Sequence, residues 1–139
     1  MKRLVYLALL ISILAPTLLA TSCAASPSND LKMAPMNMLP TKMQNSPTRV
    51  REAYQFAVAN PDALKNVPCY CGCGGIGHTS NYSCYNNQAK QTFDEHALGC
   101  SLCVDISQDV MKLMRDGKSP PDIRASIVAT YSQFGPPNQ

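Results

Sequence analysis

Six cysteines fall between residues 69 and 103. Three occupy alternate positions in Pro68-Cys69-Tyr70-Cys71-Gly72-Cys73, and the others are Cys84, Cys100 and Cys103. The stretch 68–91 also holds Gly72, Gly74, Gly75 and Gly77 among Ser and Asn, with no helical or strand period. An irregular stretch of about twenty residues in a small domain is ordered by something other than an apolar core, and metal or disulfides supply that restraint. In an extended segment Cys69, Cys71 and Cys73 point to one side. Thiols at that spacing pair with one another only under strain. They therefore converge on a metal, or each reaches a distant partner among Cys84, Cys100 and Cys103. Gly72 and Gly74 let the backbone bend around an ion, and His78 adds a nitrogen donor.

Thr92-Phe93-Asp94-Glu95 has the pattern of a capping box. It predicts a helix running to Asp116, with Lys112 and Arg115 in its last turn and Gly117 as its stop. At about 100° per residue, His96, Cys100, Cys103, Met111 and Met114 share one arc of roughly 80°. The apolar face of Leu98, Leu102, Ile106, Val110 and Leu113 lies beside it. His96, Cys100 and Cys103 span two turns and form a candidate second wall for the loop thiols. Met111 and Met114 lie farther along and read as core.

Ser46-Pro47 starts another helix, with Val50, Tyr54, Ala57 and Val58 at helical spacing, and Asn60-Pro61 ends it. Residues 61–67 add a short turn. Ser119-Pro120 opens a last helix lined by Ile123, Ile127, Val128 and Tyr131, and Gly135-Pro136-Pro137 reads as a frayed tail. The expected fold is mainly α: a domain over 46–135 with about three helices and one long, ordered Cys/Gly-rich loop. A core of that size is marginal without further restraint.

Upstream, Lys2 and Arg3 precede an apolar run from Leu4 to Leu19, and Ala20-Thr21-Ser22 precede Cys23. Residues 1–22 read as an export signal, since the run is short for a membrane span and contains Pro16. Small residues ending in cysteine resemble a bacterial lipoprotein box. The resemblance implies cleavage before Cys23, lipidation of its sulfur, and a protein held to a bacterial membrane outside the cytoplasm. Setting Cys23 aside leaves six of the seven cysteines, an even number, which suits disulfides or a multinuclear metal site. Residues 23–45 read as a flexible tether. Met33, Met36, Met38 and Met43 lie in it, and thioether is a soft ligand that suits Cu(I). They are candidates for auxiliary metal capture. Without Lys2 and Arg3, ten basic residues face nine acidic ones. No basic cluster remains, so nucleic acid has no support as a partner.

Zinc sites commonly take four ligands from two Cys-x-x-Cys pairs. Here one such pair, Cys100 and Cys103, faces Cys-x-Cys-x-Cys. The excess thiolate favours Cu(I) or a small copper–thiolate cluster with bridging sulfurs. The candidate ligands are Cys69, Cys71, Cys73, Cys84, Cys100 and Cys103, with His78 and His96. A copper role implies a protein that donates or accepts the ion. A structural zinc domain and a disulfide-stapled interaction module without metal stay open. Val104 excludes haem attachment at Cys100–Cys103. With Cys100 two turns into its predicted helix and no strand–helix alternation, no catalytic role is expected.

Pro-Cys-Tyr-Cys-Gly-Cys at 68–73 spells the signature of the PCYCGC-motif lipoprotein family. The chain resembles that family from about residue 46 to 133, through Gly77-His78, Cys84, His96 and Cys100-x-x-Cys103. The resemblance implies a bacterial, exported, often lipid-anchored protein, with metal binding as the expected role.

Overall fold

A computed structural model describes residues 30–139. The export signal at 1–22, Cys23 and residues 24–29 of the expected tether lie outside the described residues. Within them the chain is mainly helical. It runs α1 (Thr41–Gln44), α2 (Thr48–Ala59), α3 (Pro61–Lys65), β1 (Asn86–Asn87), β2 (Thr92–Phe93), α4 (His96–Gly99), α5 (Ser101–Arg115) and α6 (Pro120–Tyr131). The two strands form an antiparallel pair, with Asn86 opposite Phe93 and Asn87 opposite Thr92. No helix among the described residues is long and apolar enough to cross a membrane.

Three long helices, α2, α5 and α6, stand near the expected positions. Tyr54, Phe56 and Ala57 of α2 pack with Val104, Ile106, Val110 and Met111 of α5, and Ile123, Ile127 and Tyr131 of α6 complete the core. Helix α5 stops where Gly117 takes φ +72°, and Lys118 N–H closes on Leu113 O at 3.0 Å, the left-handed helix end that glycine favours. Ser119 caps α6, its hydroxyl accepting from Asp122 N–H.

The expected count of about three helices is corrected to six among the described residues, for two reasons. Short helices flank α2 on both sides, and the helix predicted to run unbroken to Asp116 is cut at Cys100. Thr92 and Phe93 do not cap it. They pair with Asn86 and Asn87 instead, and Phe93 stacks 6.5 Å from Tyr54. The cap acceptor is Asp94, whose Oδ1 takes the His96 N–H at 2.8 Å. Cys100 then leaves helical geometry, at φ −115° and ψ 96°, directly after Gly99, a poor helix former. The break rotates the buried face: Cys103, Val104 and Met111 are buried, while Leu98, Leu102 and Leu113 are only half-buried.

The expected long loop is likewise more structured than its composition indicates. Tight 3-10 turns at Cys73–Ile76 and Tyr82–Cys84, and the small β pair, subdivide it.

The expected tether is corrected over its described part. Leu39 and Met43 are each 2 % exposed and belong to the core. Ala34 N–H bonds Gln55 O at 3.0 Å, and the Gln55 amide returns a bond to Ala34 O at 2.7 Å. Asn60 Nδ2 reaches Lys32 O at 2.7 Å. Residues from about 31 onward thus run along α2. Pro35 and Pro40 interrupt regular structure there, but Leu39 and Met43 still turn to one side at a helical interval.

The tail after α6 is not frayed. Asn138 N–H bonds Cys69 O at 3.0 Å, and Cys69 N–H bonds Asn138 Oδ1 at 2.7 Å. Gly135 makes the approach possible: a Cβ there would lie 3.2 Å from Tyr70 O.

Candidate metal centre

The site grows from the loop after α3. Gly72, at φ +80°, turns the chain between Cys71 and Cys73. Cys69 and Cys73 are buried and Cys71 is half-buried. The next turn is closed by His78 N–H on Cys73 O, at 3.2 Å. Asn81 N–H bonds Val67 O at 2.8 Å, which folds the segment back and brings buried Cys84 beneath the cluster. Cys73 and Cys84 sulfurs lie 3.9 Å apart.

The break before α5 supplies the opposite wall. Cys100 is the cap residue of α5 and Cys103 lies in its first turn. Cys103 Sγ is the centre of the arrangement. It lies 3.0 Å from Cys84 Sγ, 3.3 Å from Cys69, 3.3 Å from Cys100 and 3.6 Å from Cys71. Cys69 and Cys71 sulfurs are 3.4 Å apart. All six thiols are free. Thiolates about 2.3 Å from a tetrahedral ion would sit roughly 3.8 Å from one another, so the donors have nearly the spacing that coordination needs.

Buried polar groups fix this wall. Tyr85 Oη and Asn81 Nδ2 both donate to Cys103 O, at 2.9 and 3.1 Å. Ser107 Oγ lies 2.7 Å from both Asn81 Oδ1 and Tyr85 Oη. Asn81, Tyr85 and Ser107 are essentially inaccessible to solvent, and a satisfied buried network of this kind specifies one arrangement.

Both histidines join the sulfurs. His96 Nε2 is 3.5 Å from Cys71 Sγ. His78 is 8 % exposed; its Nε2 faces Asp94 Oδ2 at 3.4 Å, and its buried Nδ1 has no hydrogen-bond partner. The two rings meet edge to face, with centroids 5.0 Å apart. An orphaned buried nitrogen is costly unless something binds it. A ring held through one nitrogen by a carboxylate, with the other free, is the arrangement of a metal-ligating histidine and its supporting partner.

The sulfurs divide in acidity. Hydrogen bonding from Cys103 pulls Cys69 far below an ordinary thiol, and pulls Cys100 down to about 5. Hydrogen bonding from Cys84 lowers Cys73 to about 6. Burial pushes Cys71 up, and contacts with Cys100, Cys69 and Cys84 push Cys103 up strongly. Lowered and raised thiols thus alternate through the cluster, since neighbouring sulfurs cannot all ionise without a cation among them.

All eight ligand candidates named from the sequence meet here. Four groupings have donor atoms within 4.8 Å of one another: Cys71, His96, Cys100 and Cys103; Cys73, His78, Cys84 and His96; Cys69, Cys71 and Cys73; and Cys69, Cys84 and Cys103. These clusters are compatible with metal binding. The methionines fare differently. Met43 is locked in the core, so its expected part in metal capture is corrected, whereas Met33, Met36 and Met38 are 37–57 % exposed. Cys100 is corrected from mid-helix to helix cap.

Five contributors were missed, Tyr85 and Ser107 of the buried network among them. Asp94, read only as part of a capping box, holds both histidines; its spacing in Asp94-x-His96 was the available signal. Asn81, in a Ser/Asn-rich stretch, gave none. Neither did Asn138, whose Nδ2 lies 3.4 Å from Cys73 Sγ and 3.3 Å from Ser80 O.

The sequence model of a family described as "Protein of unknown function with PCYCGC motif" matches residues 20–139, and the chain belongs to that family. No curated protein and no solved structure matches the chain.

Proposed function

We propose that this PCYCGC-family chain is a lipid-anchored, extracytoplasmic metal-binding protein that holds Cu(I) for sequestration or delivery. The observation that carries the reading is Cys103, whose sulfur lies within 3.6 Å of four other thiol sulfurs. A disulfide would satisfy one of those neighbours; a bridging thiolate satisfies several. Sulfur-rich, partly bridging donor sets suit a soft monovalent ion. The orphaned Nδ1 of His78 supports the same reading, because a metal would supply its missing partner. Anchoring rests on the small residues before Cys23 and would hold the site beside a membrane, where a second protein donates or accepts the ion. The role is binding rather than turnover.

The test is a titration of the reduced full-length chain in detergent, without oxygen, with Cu(I) and with Zn(II) against a competing chelator, with thiols counted on the same sample. The expected outcome is tight Cu(I) retention with thiols that become reactive only when the metal is stripped. A reduced chain that takes up no metal, its thiols staying reactive throughout, would overturn it. Membrane fractionation of Cys23→Ala against the unaltered chain tests the anchor: the variant is expected in the soluble fraction.

Zinc is a second reading, favoured by the composition of two groupings. Cys71, Cys100 and Cys103 with His96, and Cys73 and Cys84 with His78 and His96, are three-sulfur and two-sulfur quartets of the kind that close around zinc. Zn(II) that stays bound when Cu(I) is added in equal amount decides for it.

A further inference from the structure

We infer that the pocket is divided into two metal compartments of four donors each, one open to exchange and one closed, so that the chain holds two ions that leave at different rates. The inference rests on the metal-binding reading above. A tetrahedral ion takes four donors and a thiolate-bound Cu(I) no more than that, so the eight that converge here exceed what one ion can use. They are not spread evenly. The outer quartet is Cys71, His96, Cys100 and Cys103, and the inner is Cys73, His78, Cys84 and His96. The quartets have only His96 in common, and its Nε2 lies 3.5 Å from Cys71 Sγ, which commits it to the outer set.

Cys69 makes up the difference. It belongs to neither quartet, yet it forms a triad with Cys71 and Cys73 and another with Cys84 and Cys103. Each triad pairs one outer with one inner donor, so Cys69 lies on the boundary. It completes the inner set once His96 is taken, and its 3.3 Å approach to Cys103 places a shared thiolate between the ions. Eight donors then make two complete sets.

The compartments differ in access. Cys71, Cys100 and His96 are half-buried, whereas Cys73, His78 and Cys84 are buried. The inner set is also braced from behind, by Asp94 on His78 and by the Asn138 amide on Cys73. An incoming ligand reaches the outer ion first. The inner ion is shielded until the outer set opens.

The experiment is native mass spectrometry of the full-length chain saturated with Cu(I) without oxygen, followed by timed challenge with excess Cu(I) chelator. The expected result is at least two ions per chain, released in a fast and a slow phase. Cys100→Ser should remove the fast phase and keep the slow one, and His78→Ala should do the reverse. Saturation of the unaltered chain at one ion, or release of all metal in one phase, overturns the division while leaving the metal-binding reading intact. An unaltered chain that holds no Cu(I) overturns that reading and the division with it. The unaltered chain decides the point even where a variant fails to fold.

Discussion

Asp94 Oδ2 lies 3.4 Å from His78 Nε2, inside a wall of sulfur. The same carboxylate caps His96 through Oδ1, so one acidic side chain sets the position of both histidines. Asp94→Asn keeps the shape and the cap but loses the charge that orients the His78 ring. Removing such a supporting partner typically lowers metal affinity about 10- to 100-fold. A chelator competition on the variant, with circular dichroism to confirm an unchanged helix content, is expected to show a loss in that range. Unchanged affinity would mean that His78 needs no carboxylate to bind.

Met43 and its neighbours Met36 and Met38 should part company on substitution. Met43 is core, so Met43→Ala is expected to cost about 2–5 kcal/mol through lost contacts and a cavity. Met36→Ala and Met38→Ala, on the surface, should stay within about 0.5 kcal/mol. Urea unfolding of the apo chain separates them. Met43→Ala should leave the Cu(I) stoichiometry unchanged, because the side chain is far more a part of the helical core than of the site.

Much of the site was legible because its chemistry is carried by residue type. Cysteine and histidine announce themselves, and Gly72 marked the bend; the extended segment expected at Cys69-x-Cys71-x-Cys73 is corrected, since the chain turns at Gly72 and that turn brings the three sulfurs together. Helix ends at Gly117 and Ser119 were legible because they depend on local backbone chemistry. What stayed hidden depends on pairing across the chain. Thr92 and Phe93 satisfy a helix-start pattern, but β1 and Tyr54 offer them a better arrangement, and that competition is tertiary. The break at Cys100, directly after Gly99, sets the Cys100 sulfur 3.3 Å from Cys103. Residues 30–45 looked like a tether because Pro, Asn and Lys dilute three buried residues, Ala34, Leu39 and Met43. Asn138 lies 69 residues from Cys69, and nothing local records that contact.

The apo chain should be most stable in mild alkali. Cys73, lowered to about 6 by its Cys84 contact, and Cys100, lowered to about 5 by its Cys103 contact, ionise more readily folded than unfolded. Their contribution is present above the unfolded thiol value of about 8.5 and is lost as the pH falls through 6 and 5. Cys71 and Cys103 are raised, so they favour the folded state below about 8.5 and disfavour it above, where the unfolded chain ionises first. Urea midpoints of the reduced apo chain, measured without oxygen from pH 5 to 10, should rise and then fall. A steady decline across the range would contradict the division of acidities.

Asn138→Ala should loosen the cysteine loop from outside the cluster. It removes the acceptor of Cys69 N–H and the donor to Cys73 Sγ and Ser80 O. Leaving such groups unpaired costs about 1–3 kcal/mol. Hydrogen exchange should show the Cys69 amide losing protection, while the core of α2 and α5 changes only by the global loss of stability. Protection at Cys69 equal to that of the unaltered chain would mean the tail does not hold the loop.

The position of Cys103 bears on what happens when an oxidant arrives before a metal. Its four sulfur neighbours lie between 3.0 and 3.6 Å away, so geometry selects no single partner for it. Six thiols allow fifteen disulfide connectivities, and a hub of this kind does little to narrow them. In an oxidising compartment the chain therefore faces a race. Metal that arrives first engages the sulfurs as ligands and removes the choice. An oxidant that arrives first makes a mixture, and only a reductant returns it to one species.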